Sequence, residues 1–406
     1  MISRTLIALI ALAASATAAP LVARDSGTPV ASTAFALPTV FTPSQDDNPP
    51  ASASPLAHGT FGIGSNTDFG MMQDYTNPNT LWRDGGGTCN IGNRTLWFFC
   101  DTLAYRKKDN RIMGAPSNSL SLAKSFDLPA NLTDVTCRSS VNQCSNAIPL
   151  TSSEAAVSNS ASTRYALWTF TNCVPTGDNT AVHFWQVNKF RSTSASSITG
   201  YTMAEYNIDP VSNQISITRN AQYAEIPPTY NYGAFANVVV NGVAYLYGLD
   251  VTYSGRNDLH LASAPVSTIG DMSTWSYYDA STKSWNSTAP VPTTRRNTAA
   301  VISNSQPFAT GATVFFSEYH NAYLMVYFNN WADSTFRVLS APTPTGPWTT
   351  NNKAVLKVPV GSGHSYGGVA HPDYYSVPGP TGQSLMLHYS YQGSRTYTRA
   401  DKLTFA

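Results

Sequence analysis

No stretch of about 11 residues or more between His58 and Ala406 keeps a helical period. The segment instead repeats short apolar or alternating runs, broken by Gly, Pro, Asn, Asp and Ser. TLWFFCDT, RYALWTF, AVHFWQV, AFANVVV, VAYLYGLD, ATVFFSEYH, AYLMVYF and SLMLHYSY are examples. Runs of this length with turn residues between them form strands, so this part of the chain is predicted to be all-β.

The runs gather into about five groups, near residues 80–130, 163–217, 233–279, 298–348 and 364–403. In ANVVVNGVAYLYGLD, Asn241-Gly242 is a two-residue hairpin turn. Two groups close alike, LHLASAPVSTIGDMSTWSYYD and FRVLSAPTPTGPWTT, each with Ser-Ala-Pro, a turn and a Trp. Their separation exceeds one blade, which places a blade without the motif between them. A radial array of small sheets explains why no strand is long, and the expected fold is an all-β five-bladed β-propeller. A β-sandwich is the second choice.

The first residues, MISRTLIALIALAASATAAP, carry a positive charge, a short apolar run and then small residues. This is the pattern of a secretory signal peptide, residues 1–18, whose apolar run is too short for a membrane span. Residues 19–56 are rich in Pro, Ser, Thr and Ala and are expected to form a flexible leader before a propeller domain at 57–406. Sequons at Asn93, Asn131 and Asn286 agree with export to the cell exterior or cell wall.

With 24 Lys+Arg against 23 Asp+Glu, the chain has no basic stripe for nucleic acid. Its 22 Tyr and 8 Trp suit carbohydrate, because sugar C–H faces pack on aromatic rings. The five cysteines leave at least one unpaired within the chain, and Cys137 and Cys144, around a short polar loop, are the expected bridge. No His/Cys cluster has metal spacing, so no metal or cofactor is expected. A monomer is expected, with a polysaccharide as its partner and neither nucleic acid nor membrane.

The segment WRDGGGTCNIGNRTLWFFCDT concentrates the chemistry. Gly92-Asn93 is a favoured turn pair, and a hairpin centred there pairs residues whose numbers sum to 185. Asp84 and Asp101 meet that condition, which would set their Cβ atoms roughly 4.5–5.5 Å apart. Like charges so placed destabilise a hairpin and raise one pKa. A glycosidase needs that arrangement, a proton donor beside a carboxylate. Gly85, Gly86 and Gly87 leave room for a sugar, although a bulge there would shift the register by one. The same register keeps Cys89, opposite Leu96, too far from Cys100 to bridge it.

Asp-x-Gly, a hairpin, and then Phe-x-Asp-Thr resembles the secreted five-bladed propellers that include microbial endo-D-arabinanases, long catalogued as a domain of unknown function. The residues concerned are Asp84-Gly85-Gly86 and Phe99-Cys100-Asp101-Thr102. Gly85 and Cys100 depart from that family's pattern without removing an acid. APTPTGPWTT and YGGVAHPDYY with LMLHYSYQ also resemble arabinanase-like blades. The resemblance implies a secreted glycoside hydrolase acting on a furanose-containing, arabinan-like polysaccharide, with Asp84 and Asp101 as its catalytic acids. Asp68, Tyr232, Asp250, Glu318, His320 and His371 are the candidate substrate-binding residues, all at predicted strand ends or turns. The alternative is a non-catalytic, lectin-like propeller with structural acids. A lectin should repeat its pocket in every blade, whereas this acid signature occurs once.

Overall fold

The computed structural model describes residues 31–36, 61–92, 94–123, 132–139, 144–158, 163–191, 196–225, 230–249, 258–290, 299–303, 308, 310–330, 333–349, 353–360, 364–375, 380–393 and 395–406. Five antiparallel sheets follow one another along the chain, and they are the blades of a propeller.

In the first blade, from the inside outward, the strands are Gly87–Ile91, Arg94–Phe99, Ser119–Ala123 and Leu132–Asp134. Its inner hairpin is prolonged by a small sheet of Asn79–Arg83, Thr102–Arg106 and Ile112–Gly114. The second blade runs from Arg164–Trp168 and Val174–Gly177, both paired with Thr180–Phe190, to Ser196–Asp209 and Gln214–Glu225. The third comprises Ala236–Val240, Val243–Leu249, Leu259–Pro265, Ser276–Asp279 and Ser284–Asn286. Ala312–Ser317, Ala322–Asn329, Thr335–Ala341 and Lys353–Lys357 make the fourth. The fifth takes Tyr366–His371, Ser384–Gln392 and Thr396–Phe405, and gains its outermost strand, Ile63–Met71, from the start of the domain.

The apolar side chains show that the blades close into a ring, because each of five buried clusters joins one blade to the next. Leu96 and Phe98 of the first pack with Trp185 and Tyr206 of the second. Val182 and Phe184 meet Leu246 and Trp275, Tyr247 and Leu261 meet Val314 and Met325, and Leu324 and Phe328 meet Leu385 and Tyr389. Trp97 and Phe99 of the first blade pack with Met386 and Ala400 of the fifth. Alternation along every strand supplies two such faces per blade, so apolar residues at successive blade positions are enough to specify the ring. Asn90 Nδ2 donates to Asp373 Oδ2 at 2.6 Å, and Thr88 Oγ1 lies 2.8 Å from His371 Nδ1, linking the first and fifth blades near the axis.

The two Ser-Ala-Pro…Trp segments lie in consecutive blades, the third and fourth, and this corrects the expected intervening blade. In each, the Trp turns back into the preceding interface. Trp275 meets Phe184 at a centroid distance of 6.4 Å, and Trp348 meets Tyr247 at 6.1 Å. The Asn241-Gly242 turn has φ of 50° and 76°, the primed geometry that its residues favour.

Part of the leader expected to be flexible, Ala31–Ala36, forms a strand on Gln214–Arg219 at the outer edge of the second blade. The signal peptide and the rest of the leader lie outside the described residues. Cys137–Cys144 is a disulfide, as the spacing predicts, and Cys89–Cys173 ties the first blade to the second; Cys100 is buried and unbridged. Disulfides of this kind belong to oxidising compartments. Among the described residues, no helix is long and apolar enough to cross a membrane.

Candidate active site

The inner hairpin keeps the predicted register on both sides of its glycines. Gly87 pairs with Phe98 and Ile91 with Arg94, while beyond the glycines Asn79 pairs with Arg106 and Arg83 with Thr102. Each pair sums to 185, so no residue is gained or lost at Gly85–Gly87. The ladder is nevertheless irregular at that point. Asp84 N donates to Asp101 O at 3.2 Å, Cys100 N donates to Asp84 O at 2.8 Å, and Gly86 N turns away to Thr169 O of the second blade at 3.1 Å. The glycines permit this detour: Gly85 and Gly86 have φ of 51° and 119°, and a Cβ on Gly87 would lie 1.7 Å from Thr171 O.

Asp84 and Asp101 face each other there, each half-buried, and their surroundings differ. Asp84 Oδ2 accepts a 2.6 Å hydrogen bond from Tyr366 Oη of the fifth blade. Burial first, and then the negative charge of Asp101, raise its pKa to about 7. Asp101 accepts from two groups of the second blade, Trp168 Nε1 at 3.1 Å and Arg164 Nη2 at 3.4 Å. Cys100 lies between the acids in sequence, its Sγ donating to Thr169 O at 3.2 Å. Burial and then the Asp84 charge push its thiol pKa well up, so it is no nucleophile at neutral pH. Asp84, with its pKa raised, therefore sits beside a carboxyl that accepts a hydrogen bond from a cation.

Above the acids, the prolonged hairpin carries aromatic rings on the same face, because residues two apart along a strand share a side. Trp82 and Tyr105 are half-exposed, and the Arg395 guanidinium lies over both, 5.1 and 4.5 Å from their ring centroids. Tyr397 of the fifth blade is 6.0 Å from Trp82 and 5.1 Å from Tyr391. The acids thus sit below a wall of half-exposed rings.

Of the other sequence candidates among the described residues, none joins this cluster. Asp68 is exposed on the outermost strand of the fifth blade, where it accepts from Gly70 N at 2.7 Å and pairs with Arg399. Tyr232 is buried between Tyr230 and Tyr277, 5.4 Å from each, in the interface of the second and third blades. Glu318 and His320 follow the end of an innermost strand whose start lies at the acid end, so they occupy the opposite end of the propeller. Glu318 accepts from Thr381 N at 3.0 Å, while His320 is buried against Ser317, Phe61 and Phe405, and that burial holds its pKa down to about 4. His371 is buried 2.7 Å from His388 and 2.8 Å from Thr88, and burial drives its pKa well below the ordinary histidine range. Asp250 lies outside the described residues.

Sequence reasoning missed Tyr366, Trp168 and Arg164. One signal was present: Tyr366-Gly367-Gly368 repeats the pattern of Asp84-Gly85-Gly86, with φ of 62° at Gly367. No group of three or more His, Cys, Asp or Glu able to hold a metal occurs among the described residues.

Residues 71–379 match a protein family described as a domain of unknown function (DUF5005). No curated protein matches the chain. Among solved structures, a provisionally assigned hydrolase from Bacteroides ovatus superposes with a TM-score of 0.55 at 18% identity, over 79% of this chain and 85% of that one. A GH43_1 enzyme from Xanthomonas citri, solved with xylotriose, gives a TM-score of 0.43 at 10% identity, over 83% and 91%. A GH43 β-xylosidase/α-arabinofuranosidase from a compost metagenome gives 0.43 at 12%, over 84% and 95%. At these identities, the likeness to the Bacteroides protein concerns the fold.

Proposed function

We propose, for a chain that belongs to the DUF5005 family, that the acid pair makes it a secreted glycoside hydrolase acting on a furanose-containing, arabinan-like polysaccharide. The observation that carries this reading is the unequal pair on one hairpin. Asp84 is the proton donor, since its pKa of about 7 leaves about half of it protonated at neutral pH and most of it protonated below. Asp101, which accepts from Trp168 and Arg164, is the nucleophile.

The sequence of steps is that of a retaining glycosidase. Asp84 gives its proton to the leaving oxygen while an Asp101 oxygen attacks the anomeric carbon. The glycosyl ester is then cleaved by a water whose proton Asp84 takes back. Opposed residues of an antiparallel pair suit this, because inverting enzymes separate their carboxyls by roughly 6.5–9.5 Å to admit a water. Trp82, Tyr105, Tyr391 and Tyr397 would carry the sugar chain on their faces. The hydrolase assignment of the Bacteroides protein agrees with this reading, and the furanose preference rests on the sequence resemblance.

The test is turnover of arabinan and related furanose glycans by the wild type, Asp84→Asn and Asp101→Asn. Each variant should lose about 10²–10⁴ in kcat while still binding the glycan in a pull-down. The aromatic wall favours a second reading, a carbohydrate-binding propeller without catalysis. Binding with no turnover by the wild type would establish that one. Undiminished turnover in both variants removes the acid pair from the mechanism.

A further inference from the structure

The Asp84–Tyr366 hydrogen bond joins the first and fifth blades, and each of the two residues is followed by a glycine with positive φ. Phe170, half-exposed on the second blade, lies against both glycines. A Cβ on Gly85 would come 2.8 Å from Phe170 Cε1, and one on Gly367 would come 3.2 Å from the same atom and 3.4 Å from the Gly85 Cα. A Cβ on Gly311 of the fourth blade would meet Phe170 O at 2.4 Å and its Cβ at 3.0 Å. The second blade adjoins neither the fourth nor the fifth, so one residue touches blades one, four and five only by reaching the propeller axis. Three glycines from three blades make the space that this side chain fills. Backbone bonds lock the surroundings: Gly86 N to Thr169 O, Gly85 N to Ser390 Oγ at 2.7 Å, and Gly367 N to Asn330 Oδ1 at 3.1 Å.

We propose that Phe170 is a positioning residue: its ring edge, wedged on the axis against Gly85 and Gly367, holds Asp84 and Tyr366 at hydrogen-bonding distance. The inference deepens the hydrolase reading but does not depend on it, since the contact it explains is one between protein groups. Without the ring, the two glycine turns lose the surface that fixes their approach, and glycine itself offers no restraint in φ. The charged and titratable groups facing the bond are Asp101, Arg164, Cys100 and, through Gly85, His388. All of them remain in a Phe170 variant.

The experiment reads the Tyr366 hydroxyl proton by NMR of tyrosine-labelled protein, with Tyr366→Phe assigning the signal. In the wild type the proton should exchange slowly. In Phe170→Ala its exchange should quicken at least tenfold while the hydroxyls of Tyr206 and Tyr247, buried elsewhere, keep their rates. Phe170→Leu, which retains bulk without a planar edge, should give a smaller acceleration and covers the case in which the alanine variant does not fold. Unchanged Tyr366 exchange in a folded Phe170 variant overturns the proposal. A wild type inactive on every glycan would remove the hydrolase reading and leave this result standing.

Discussion

Arg83 ends a strand and Asp84 follows it, the two face opposite ways, and the two faces are built on contrary terms. Arg83 is buried with an ionic partner: Nη1 donates to Asp134 Oδ1 at 2.9 Å and to Ser121 Oγ at 2.8 Å, and the guanidinium lies 3.9 Å from the Phe99 ring centroid, while only Nε is left without a partner. Asp84 confronts a like charge and keeps only part of its solvent. One peptide bond thus separates a satisfied ion pair from a frustrated one. A hairpin anchored on its inner side by Arg83 can carry a repulsive pair on the other, which is how folds retain locally costly arrangements where chemistry uses them.

The strongest way to break the contrast is from the satisfied side. Arg83→Met should leave Asp134 buried without its cation and cost about 3–5 kcal/mol in urea unfolding. A loss under 1 kcal/mol would mean that the pair is no anchor. From the frustrated side, Asp84→Asn should stabilise the protein, and the sign depends on pH. A carboxyl whose folded pKa is raised from 3.8 to about 7 carries no penalty below the lower value and the full penalty above the upper one. The variant should therefore unfold like the wild type near pH 4 and be more stable near pH 8, by about 2–4 kcal/mol. Equal stability at both pH values would show that Asp84 titrates normally. The smallest effect concerns Tyr366→Phe, which removes a donor that favours the Asp84 carboxylate. The pKa of Asp84 should rise, and the alkaline limb of kcat/KM, where activity falls as pH climbs through about 7, should move upward by less than about one unit. A downward shift would reverse the assigned direction of that hydrogen bond's influence.

The hairpin was legible in the sequence because a two-residue turn fixes register, and register alone put Asp84 opposite Asp101. The blade count was legible because five groups of apolar runs are separated by turn-forming residues. What could not be read was which partners meet across the ring. Tyr366, Trp168 and Arg164 come from other blades, and no local periodicity says which loops converge on one end of the axis. The same gap explains Glu318 and His320. A strand end is visible in sequence, but the end of the propeller to which it belongs is set by the direction of the strand, outward from the acids or toward them. Tyr232 and His371 show a further limit, for a polar aromatic beside or at the end of a strand serves equally well in a core interface. The Ser-Ala-Pro…Trp pair was assigned too many blades because strand spacing measures chain length, which long connections inflate.

The strand Ile63–Met71 leaves the ribosome early in the domain, and its partner Thr396–Phe405 follows about 330 residues later. It waits for that length of chain before it can pair. Tyr366 belongs to the same late-arriving blade, 282 residues after Asp84, so Asp84 emerges early but gains its full surroundings only when that blade arrives. A nascent chain without the fifth blade would hold Asp84 in water, where a carboxylate has its ordinary pKa. Closure of the ring is thereby the event that raises the pKa of Asp84.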